Sequence, residues 1–365
     1  MMTITQDGQP VYDIILDDSF HALSGFLRTY DPACRKKYCI VSDSKVASFY
    51  LDAIFSIMNK HTGNTDNIIT FVFPEGEKSK QLATVEQLYR LLIGNNFHRS
   101  DCLIALGGGV TGDLTGFAAA TFLRGIDFIQ IPTSLLAAVD SSIGGKTGVD
   151  LDSYKNMVGA FHMPKLVLIN TSVMDTLDGR QFVSGMGEVV KSALIKDAAF
   201  FQWLTDHRAE VESRKPEAMI NMIENSDLIK KNVVEADPYE TKGERALLNF
   251  GHTIGHALEK YMQFSFLHGE CVLIGSLLAA DISRKKGFLS EEEWEKIRDY
   301  MESFPLPDIP KDADVDAIIS YTRNDKKAGA DGLKFILLSG IGRALISREV
   351  TEEDMKESLE AYIKR

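Results

Sequence analysis

A glycine-rich segment, residues 101–150, constrains the fold of this chain more than any other part of the sequence. It begins with a short apolar run at 102–106, which is followed by three consecutive glycines, a fourth glycine and a run of small apolar residues. A strand, a glycine turn and a helix in this order are typical of parallel α/β folds. Because glycine lets the backbone approach a ligand closely, the N–H groups at the helix start can bind a phosphate. The segment therefore predicts an α/β fold with a phosphate-binding turn.

A second glycine-rich turn, at 142–148, follows the next predicted strand and contains Lys146. Glycine turns and lysine side chains both bind phosphate groups in proteins. Two such turns within one segment indicate that two phosphate-bearing ligands bind side by side.

The first turn also fits the dinucleotide-binding pattern G-x-G-x-x-G at 107–112. The complete fingerprint includes an acidic residue at the end of the following strand, about 20 residues further on. No acidic residue stands there in this chain, so the pattern alone is a weak indication. Asp43 ends an earlier apolar run, at 38–42, and is the better candidate for binding a ribose hydroxyl.

A chain of 365 residues exceeds the size at which one hydrophobic core usually stops growing, so we expect two domains. Strand and helix patterns alternate up to about residue 170, and helical periodicity dominates after it. We predict a Rossmann-like parallel-sheet domain at 1–175 and a mostly α-helical domain at 176–365. The loop at 74–80 follows a predicted strand, where parallel sheets bind ligands, so Glu77 and Lys80 are candidate ligand contacts. An ordinary solvated loop is the alternative.

The predicted strands of the first domain cover residues 11–16, 37–41, 68–73, 102–106, 128–131 and 165–169. The predicted helices of the second domain cover 182–196, 199–212, 217–236, a segment including 251–261, 270–286, 291–303, 315–323 and 352–363. One predicted hairpin, 333–338 with 344–347, lies among these helices.

The overall charge and the cysteines limit the class of protein. A net charge of −12 argues against nucleic acid and anionic membranes as partners, and no apolar run is long enough to span a membrane. The N-terminal residues lack the features of a signal peptide. The four cysteines form no CxxC pair, which indicates reduced thiols and a cytoplasmic location.

The second half contains a group of polar residues with helical spacing. Intervals of four, three and four residues place side chains in one stripe of a helix: Arg245, Asn249, His252 and His256. Two glycines, Gly251 and Gly255, lie within the same segment, although glycine costs about 1 kcal/mol relative to alanine in a helix. We therefore expect another group to approach this backbone closely.

These histidines, with His268 twelve residues further on, form a plausible zinc-binding set. The HExxH pattern is absent, because Thr253 replaces its glutamate. A carboxylate often completes such a site, and Glu188 is the candidate, with Lys191 on the same helical face. A single histidine is more often structural, and a Glu–Lys pair is often a surface pair, but the grouping favours a metal site. The spacing leaves open which two histidines bind the metal.

The order of these motifs resembles the 3-dehydroquinate synthase family over nearly the whole chain. The segments that carry the resemblance are 107–113, 124–125, 132–148, 155–156, 185–191, 249–256 and 268–270. The resemblance implies a homodimer with an NAD-binding α/β domain and a helical domain that binds metal and substrate. It also implies the conversion of 3-deoxy-D-arabino-heptulosonate 7-phosphate to 3-dehydroquinate and phosphate in the shikimate pathway.

The resemblance also implies roles for individual residues. Zinc, or cobalt, would be bound by Glu188, His252 and His268, which makes His256 a substrate contact. The implied NAD contacts are Asp43, Glu77, Lys80, Gly107, Gly108, Gly109, Val110, Thr111, Gly112, Asp113, Thr133, Ser134, Asp140, Lys146 and Lys155. The implied substrate contacts are Asp140, Lys146, Asn156, Lys191, Lys231, Arg245, Asn249, His256 and one of Lys326 and Lys327. Arg124 would reach the phosphate of the substrate in the neighbouring subunit.

Two departures from the family pattern leave these charges unchanged. Ser134 stands where a second threonine is common, and Ala138 stands where glutamine is common.

The implied reaction suits these residue types. NAD accepts a hydride, phosphate is eliminated, NADH returns the hydride, and the product ring closes by an intramolecular aldol step. The metal lowers the pKa of the hydroxyl that is oxidised, and the substrate phosphate can itself act as the base. The lysines and arginines bind the anionic ends of the substrate, each charged hydrogen bond being worth roughly 1.5–3 kcal/mol.

Three alternatives have distinct signatures. Another sugar-phosphate cyclase would act on a different sugar phosphate. A metal-dependent NAD polyol dehydrogenase would release NADH stoichiometrically and has little use for so many anion-binding cations. A non-catalytic nucleotide-binding or scaffold protein has no reason to keep zinc ligands and cations together.

Overall fold

The computed structural model describes residues 1–152, 154–323 and 334–365 of the chain. The chain forms two compact units, Met1–Leu177 and Asp178–Arg365.

The first unit is an α/β structure. Its strands are β1 (Met2–Gln6), β2 (Gln9–Asp17), β3 (Tyr38–Asp43), β4 (Ile68–Phe73), β5 (Cys102–Gly107), β6 (Asp127–Pro132), β7 (Lys146–Leu151), β8 (Tyr154–Phe161) and β9 (Leu166–Asn170). Its α-helices are α1 (Ala22–Tyr30), α2 (Ser44–Thr62), α3 (Leu82–Gly94) and α4 (Gly109–Thr121). Within the described residues, seven strands form one sheet in the order β1-β2-β9-β6-β5-β3-β4. All neighbouring strands are parallel except β1 and β2, so the predicted parallel α/β fold is confirmed.

Both faces of this sheet are covered, because alternate residues of the central strands pack in opposite directions. On β3, Tyr38 and Ile40 pack in a core that includes Leu27 of α1. The intervening residues Cys39 and Val41 pack in a second core, formed largely by side chains of α3 and α4. The apolar runs of the sequence are therefore strands that are buried on both faces.

The parallel strands place the predicted nucleotide contacts at one edge of the sheet. Asp43 ends β3, the loop that contains Lys80 follows β4, Gly107 ends β5, and Thr133 follows β6. Ligands of parallel α/β sheets bind outside the carboxyl ends of the strands. This edge therefore contains the candidate nucleotide site of the first unit.

The segment predicted as a second phosphate-binding turn has a different structure. Residues 146–148 begin β7, which pairs with β8 in a two-stranded sheet, and the positive-φ turn glycines, Gly144 and Gly145, precede them. The prediction of a turn through 148 is wrong, because Thr147 and Val149 are buried against α4. The glycines in this segment led to the prediction of a turn, although residues 147–149 are three consecutive buried residues of a strand.

The second unit is mostly helical, as predicted. Its α-helices are α5 (Gly179–Lys196), α6 (Ala198–Asp206), α7 (Arg208–Glu212), α8 (Pro216–Ala236), α9 (His252–Tyr261), α10 (His268–Lys285), α11 (Glu291–Met301), α12 (Val315–Thr322) and α13 (Glu352–Ile363). The hairpin consists of β10 (Phe335–Gly340) and β11 (Arg343–Ser347). Helix α10 is buried along most of its length and contacts α5, α9, α11 and α13. No helix in the described ranges combines the length and the apolar character that a membrane span requires.

One predicted helix, at 199–212, is two helices in the structure. His207 has φ −108° and ψ 23° and separates α6 from α7. Its ring stacks on Trp203 with a centroid distance of 4.7 Å, and its Nδ1 donates to the Trp203 carbonyl at 3.0 Å. This local packing stabilises a break that the apolar periodicity does not reveal.

The packing of α4 generates a testable prediction. A Cβ on Gly116 would overlap Thr147 of β7 and approach the Phe128 ring to 3.2 Å. The Thr147 hydroxyl donates to the Ala160 carbonyl at 2.8 Å, so rotation of this side chain would break a hydrogen bond. Gly116→Ala should lower the free energy of unfolding by about 1–3 kcal/mol, measured by urea denaturation.

The matched control for this substitution is Gly94→Ala. Gly94 ends α3 with nothing within 4 Å of the added Cβ, so the control should be neutral or more stable by up to about 1 kcal/mol. Equal stability of the two variants would contradict the close packing of α4 on β7.

Candidate active site

Side chains from three helices of the second unit come together around one carboxylate oxygen. Glu188 lies on α5, His252 and His256 lie on α9, and His268 is the first residue of α10. Oε1 of Glu188 lies 3.6 Å from Nε2 of His252 and 3.2 Å from Nε2 of His268. The three histidines offer ring nitrogens that lie within 4.8 Å of one another. This cluster is the candidate metal site.

Helices α5 and α10 hold these side chains close together because both helices have glycine where they touch. A Cβ on Gly187 would overlap the carbonyl oxygen of Gly269, and a Cβ on Gly269 would overlap that of Ser184. The N–H of Gly269 also donates to Ser184 Oγ at 3.1 Å. Because Gly187 precedes Glu188 and Gly269 follows His268, this contact sets the carboxylate beside the imidazole.

Helix α9 also approaches α10 through glycine, but α9 starts later than predicted. Residues Arg245–Asn249 form a 3-10 helix, and Gly251, at φ +78°, separates this turn from α9. The predicted single helical stripe at 245–256 is therefore wrong. A Cβ on Gly251 would overlap Ser276 of α10. The expected close approach to this glycine is thus made by α10.

The first turn of α10, which contains His268, is held by a charged hydrogen-bond network. Arg180 donates through Nε to Glu270 Oε1 at 2.6 Å and through Nη2 to Glu270 Oε2 at 2.8 Å. Glu270 Oε2 also accepts from the backbone N–H of Leu267 at 2.6 Å. This bidentate pair fixes the start of the helix and therefore the backbone of His268.

The cluster has a marked electrostatic asymmetry. Burial raises the pKa of Glu188, but Lys191, which donates to Glu188 Oε2, and the two histidines outweigh burial and hold this pKa well below its ordinary value. Burial lowers the pKa of His252 well below its usual range. Burial also lowers the pKa of His268, but Glu188 and Glu259 outweigh it and raise this pKa to about 10. Glu188 is therefore the anionic centre of the cluster.

The donor atoms fit a divalent metal ion. Among the described residues, Glu188 Oε1 is buried without a hydrogen bond. Nδ1 of His252 lies 3.1 Å from the Phe250 carbonyl, which can only accept, so Nδ1 carries the hydrogen and Nε2 carries the lone pair. Two atoms with lone pairs at 3.6 Å repel each other, and a cation between them turns this repulsion into attraction. One carboxylate and two imidazoles form a common zinc ligand set.

Other predicted substrate contacts lie on elements that pack beside this cluster. Lys191 is buried on α5, and α5 contacts both α8 and the 3-10 helix Arg245–Asn249. The Arg245 side chain is buried and donates through Nη1 to the Pro238 carbonyl at 2.7 Å. Asn249 donates through Nδ2 to the Ala246 carbonyl at 3.0 Å.

The loop before Arg245 is organised by one buried carboxylate that the sequence analysis missed. Asp237 accepts from the backbone N–H groups of Thr241 at 2.7 Å, Lys242 at 3.1 Å and Arg245 at 3.3 Å. Burial raises the pKa of Asp237, but these N–H groups outweigh burial and hold the pKa below its ordinary value. An acidic residue directly after an amphipathic helix could have signalled this role.

Helix α8 presents its two adjacent lysines differently. Lys231, the predicted substrate contact, donates to Glu235 at 2.7 Å on a partly exposed face. Lys230 is only 6% exposed and lies on the buried stripe of the helix. The members of this stripe follow helical spacing: Met219, Met222, Ile223, Ser226, Asp227, Lys230, Val233 and Val234. Periodicity could therefore have identified Lys230 as an inward-facing cation.

In the first unit, Asp43 both caps a helix and contacts the glycine-rich segment. Its Oδ1 accepts from the backbone N–H groups of Lys45 and Val46, each at 3.0 Å. Its Oδ2 lies 3.4 Å from the Thr111 hydroxyl, which donates to it. Residues Gly109, Val110, Thr111, Gly112 and Asp113 form the first turns of α4, with Gly107 and Gly108 directly before them.

Lys80 connects two other predicted contacts. Its Nζ donates to Asp113 Oδ2 at 2.7 Å and to Asn156 Oδ1 at 2.5 Å. Burial lowers the pKa of Lys80, but the carboxylates of Asp113 and Glu77 outweigh it and raise the pKa. Lys155 forms a longer ion pair with Glu77, at 3.6 Å. The structure therefore gathers these residues around the start of α4.

The residues after β6 continue the same edge of the sheet. The N–H of Thr133 donates to the Gly107 carbonyl at 3.0 Å, and Ser134 Oγ accepts from the N–H of Ala137 at 3.3 Å. Asp140 lies in the following short π-helix, Ala137–Ser141.

Lys146 and Arg124, two other predicted contacts, lie apart from the start of α4. Lys146 pairs with Phe161 at one end of the β7–β8 hairpin, whereas Asn156 lies beside Lys80 towards the other end. Arg124 is exposed in the turn that enters β6, at the opposite end of that strand from Thr133. Lys326 and Lys327 lie outside the described residues.

The fold and these two groups of residues define a class of proteins that includes sugar-phosphate cyclases. A 2-epi-5-epi-valiolone synthase from Streptomyces hygroscopicus, solved with NAD⁺ and Zn²⁺, is 26% identical with a TM-score of 0.86, over 97% of both chains. A 2-deoxy-scyllo-inosose synthase, solved with carbaglucose-6-phosphate, NAD⁺ and Co²⁺, is 27% identical with a TM-score of 0.87, over 99% of both chains. A probable glycerol dehydrogenase from Sinorhizobium meliloti shares the fold, at 16% identity and a TM-score of 0.64, over 96% of both chains.

Sequence comparison identifies the family within this class. The 3-dehydroquinate synthase N-terminal model matches residues 70–184, and the C-terminal model matches residues 185–328. The 3-dehydroquinate synthase of Coxiella burnetii is 42% identical over 327 residues, which is 89% of each chain. That of Acidithiobacillus ferrooxidans is 41% identical over 336 residues, 92% of this chain and 91% of the relative. The chain belongs to the 3-dehydroquinate synthase family.

The α5–α10 contact generates a prediction for the candidate metal site. Gly187→Ala should push the α5 backbone away from the Gly269 carbonyl, because the added Cβ would lie only 2.3 Å from that carbonyl oxygen. We expect a loss of about 1–3 kcal/mol in the free energy of unfolding, together with weaker retention of Zn²⁺. Urea denaturation and metal analysis after dialysis measure the two effects.

Gly179→Ala is the control on the same helix, since a Cβ at Gly179 meets nothing within 4 Å. Its stability and metal content should match those of the unmodified protein. If Gly187→Ala also behaves like the unmodified protein, the close contact does not position the site.

Proposed function

We infer that the chain is a 3-dehydroquinate synthase that uses NAD and a divalent metal ion. It converts 3-deoxy-D-arabino-heptulosonate 7-phosphate to 3-dehydroquinate and phosphate in the shikimate pathway. Family membership across both halves of the chain carries this conclusion. The related cyclases solved with NAD⁺ and Zn²⁺ or Co²⁺ support the same cofactors here.

Glu188, His252 and His268 are the proposed metal ligands. The distances of 3.6 and 3.2 Å from Glu188 Oε1 to the two Nε2 atoms support this set. His256 completes an alternative set of three histidines. His256 is exposed on α9. This exposure suits a contact with the substrate better than coordination of a metal ion that is also bound by the buried Glu188.

The first unit, Met1–Leu177, is the proposed NAD-binding domain, and the second is the proposed metal- and substrate-binding domain. The start of α4 directs backbone N–H groups at the carboxyl edge of the sheet, where a pyrophosphate binds in parallel α/β folds. Asp43, at the end of the neighbouring strand β3, supplies a carboxylate for ribose hydroxyls. Lys80 and Lys155 supply positive charge on the same side of the sheet.

The second unit supplies groups that bind and orient the substrate. Lys191, Arg245 and Asn249, which lie on elements packed beside the histidines, are suited to the carboxylate and hydroxyls of the substrate. We also propose that a lysine of α8, Lys231, contacts the substrate. The buried Lys230 is a second candidate beside Lys231, because it lies on the inward-facing stripe of α8.

The remaining proposed substrate contacts are Asp140, Lys146, Asn156 and one of Lys326 and Lys327. Bound metal supplies Lewis acidity that lowers the pKa of a hydroxyl, and bound NAD supplies a hydride acceptor. The reaction comprises transient oxidation, phosphate elimination, reduction and aldol closure, so NAD is unchanged at the end.

The alternatives differ in substrate and in net redox change. Another sugar-phosphate cyclase shares the cofactors but does not need to bind a substrate carboxylate, for which Arg245 and Lys191 are proposed. The dehydrogenases of similar fold show only that this architecture also occurs outside cyclases. The identity of the matching family models favours the synthase.

The proposed reaction predicts phosphate release without net accumulation of NADH. With the heptulosonate phosphate and NAD, inorganic phosphate should accumulate while the absorbance of NADH stays constant. A chelator should stop the release, and Zn²⁺ or Co²⁺ should restore it. Glu188→Ala should lose both bound metal and activity, whereas Gly179→Ala should keep both.

Each contrary result points to a different conclusion. Stoichiometric NADH would favour a dehydrogenase, and release only from another sugar phosphate would favour a different cyclase. Unchanged metal content in Glu188→Ala would remove Glu188 from the metal site.

We also propose that the enzyme is a homodimer in which Arg124 serves the site of the partner subunit. Arg124 enters β6 at its amino end, whereas Gly107 and Thr133 lie at the carboxyl edge of the sheet. A strand of six residues at about 3.3 Å per residue separates these edges by about 20 Å. Arg124 therefore lies far from the nucleotide edge of its own unit, and a site in a second subunit accounts for this placement.

The surface near Arg124 supports a partner chain. Large apolar side chains are exposed along the β7–β8 hairpin and on the turn before Arg124: Leu123, Leu151, Tyr154, Met157 and Phe161. The hairpin and the turn are in contact, because His162, the residue after β8, approaches the Ile126 carbonyl to 2.8 Å. Exposed apolar residues on an edge strand favour association with another chain.

Mixed dimers test the proposed role of Arg124. Arg124→Ala and Glu188→Ala should each be inactive alone, because each homodimer lacks one essential group in both sites. After unfolding together and refolding, a hybrid contains one complete site if Arg124 acts across the interface. We expect recovery of about a quarter of the normal activity, since half of the dimers are hybrids and one of their two sites is complete.

If Arg124 acts within its own subunit, the hybrid has no complete site and activity stays at the background level. Sedimentation analysis of the same sample confirms that dimers form, and a monomer would contradict the proposal directly.

A further inference from the structure

Glu259 is a buried acidic residue next to the proposed metal site, and none of the roles described above uses it. It lies on α9 and is only 4% exposed, although it is in the last turns of a surface-reaching helix. Its Oε2 lies 3.5 Å from Nδ1 of His268. Burying a carboxylate is unfavourable unless charged or hydrogen-bonding groups compensate it, so its location at this imidazole requires an explanation.

The His268 ring lies between two carboxylates. Its Nε2 is 3.2 Å from Glu188 Oε1, and its Nδ1 is 3.5 Å from Glu259 Oε2. A neutral imidazole has one nitrogen with a hydrogen and one with a lone pair, and the partner of each nitrogen decides which is which. Both carboxylates can only accept, so each nitrogen faces an acceptor. A cation bound between Nε2 and Glu188 requires the lone pair on Nε2, and Glu259 then keeps the hydrogen on Nδ1.

His252, the second histidine of the site, also has an acceptor at its Nδ1, but this acceptor is a backbone carbonyl. Nδ1 of His252 lies 3.1 Å from the Phe250 carbonyl, which also leaves the lone pair on Nε2. Both rings therefore have an acceptor at Nδ1 and face Glu188 Oε1 through Nε2. The acceptor at His252 belongs to the adjacent backbone, whereas His268 obtains its acceptor from a side chain on another helix.

This difference follows from the position of His268. His268 is the first residue of α10, so its ring is not confined by a preceding helical turn. Its side chain is also about one third exposed, whereas that of His252 is 12% exposed. A ring at a helix start, with solvent on one side, needs a second contact to keep one orientation.

We propose that Glu259 is a positioning residue that holds His268 with Nε2 directed at the metal ion. The proposal rests on the metal site inferred above and adds to it the group that selects the tautomer and orientation of one ligand. Acceptors behind metal-binding histidines typically change metal affinity by about 10–100-fold when they are removed.

The test is metal affinity in Glu259→Gln, which keeps the volume of the side chain and removes its charge. Competition with a chromophoric chelator should show that Zn²⁺ binds about 10–100-fold more weakly than in the unmodified protein. With Co²⁺ as the probe, the visible absorption spectrum should also change, because the geometry of one ligand changes. A side chain that only stabilises the fold would leave the Co²⁺ spectrum unchanged and would lower the Zn²⁺ affinity no more than the control variant does.

Asp281→Asn is the matched control. Asp281 is a buried carboxylate on α10, the helix that carries His268, and it pairs with Arg284, Lys285 and Ser358 at the other end of that helix. Both variants should lose stability in urea without metal, but only Glu259→Gln should lose metal affinity.

A Zn²⁺ affinity and a Co²⁺ spectrum in Glu259→Gln that match those of the unmodified protein would overturn the proposed role of Glu259 alone. Equal losses of affinity in both variants would also overturn it, since the effect would then follow from stability. If the unmodified protein binds neither ion, the proposed metal site fails together with this inference.

Discussion

The close contact of three helix backbones is the constraint on which the rest of the second unit depends. Helices α5 and α10 touch where Gly187 meets Gly269, and α9 meets α10 at Gly251. Side chains at these points would hold the axes apart by the width of at least a methyl group, and an interior packed to the density of a crystal cannot absorb such a change. Because Glu188 and His268 are the neighbours of two of these glycines, the packing of the helices also sets the distance between these two proposed metal ligands.

Neighbouring charged and polar groups explain how the site tolerates buried charge. Glu188 and Lys191 are both at most 2% exposed, and removal of such groups from water is costly unless they compensate each other. Lys191 occupies one oxygen of Glu188, and the two imidazoles approach the other. The carboxylate therefore remains ionised in the interior, as its lowered pKa indicates. An anionic carboxylate flanked by two imidazole rings is a donor set that suits a divalent cation.

In the first unit, the parallel direction of the strands determines which residues come together at the candidate nucleotide site. Parallel strands bring the ends of β3, β5 and β6 to one edge, so residues that are far apart in sequence become neighbours there. Asp43 contacts Thr111 across this edge, and Lys80 contacts both Asp113 and Asn156. The glycines at the start of α4 thus contribute to the candidate site only in combination with loops that follow other strands.

The local sequence determined most of the elements and the residue types of the site. Apolar runs identified the central strands, and helical periodicity located most helices of the second half, because both signals depend on neighbours within a few residues. Periodicity did not reveal the breaks at His207 and Gly251. The family was also recognisable from motifs such as those around Glu188 and His268. Tertiary structure alone decided that Gly251 breaks a helix, and that Lys230 faces inward while Lys231 pairs with Glu235. It also placed Glu259 behind His268. Each of these features depends on which other element packs against the residue. The spacing of residues along the chain does not contain that information.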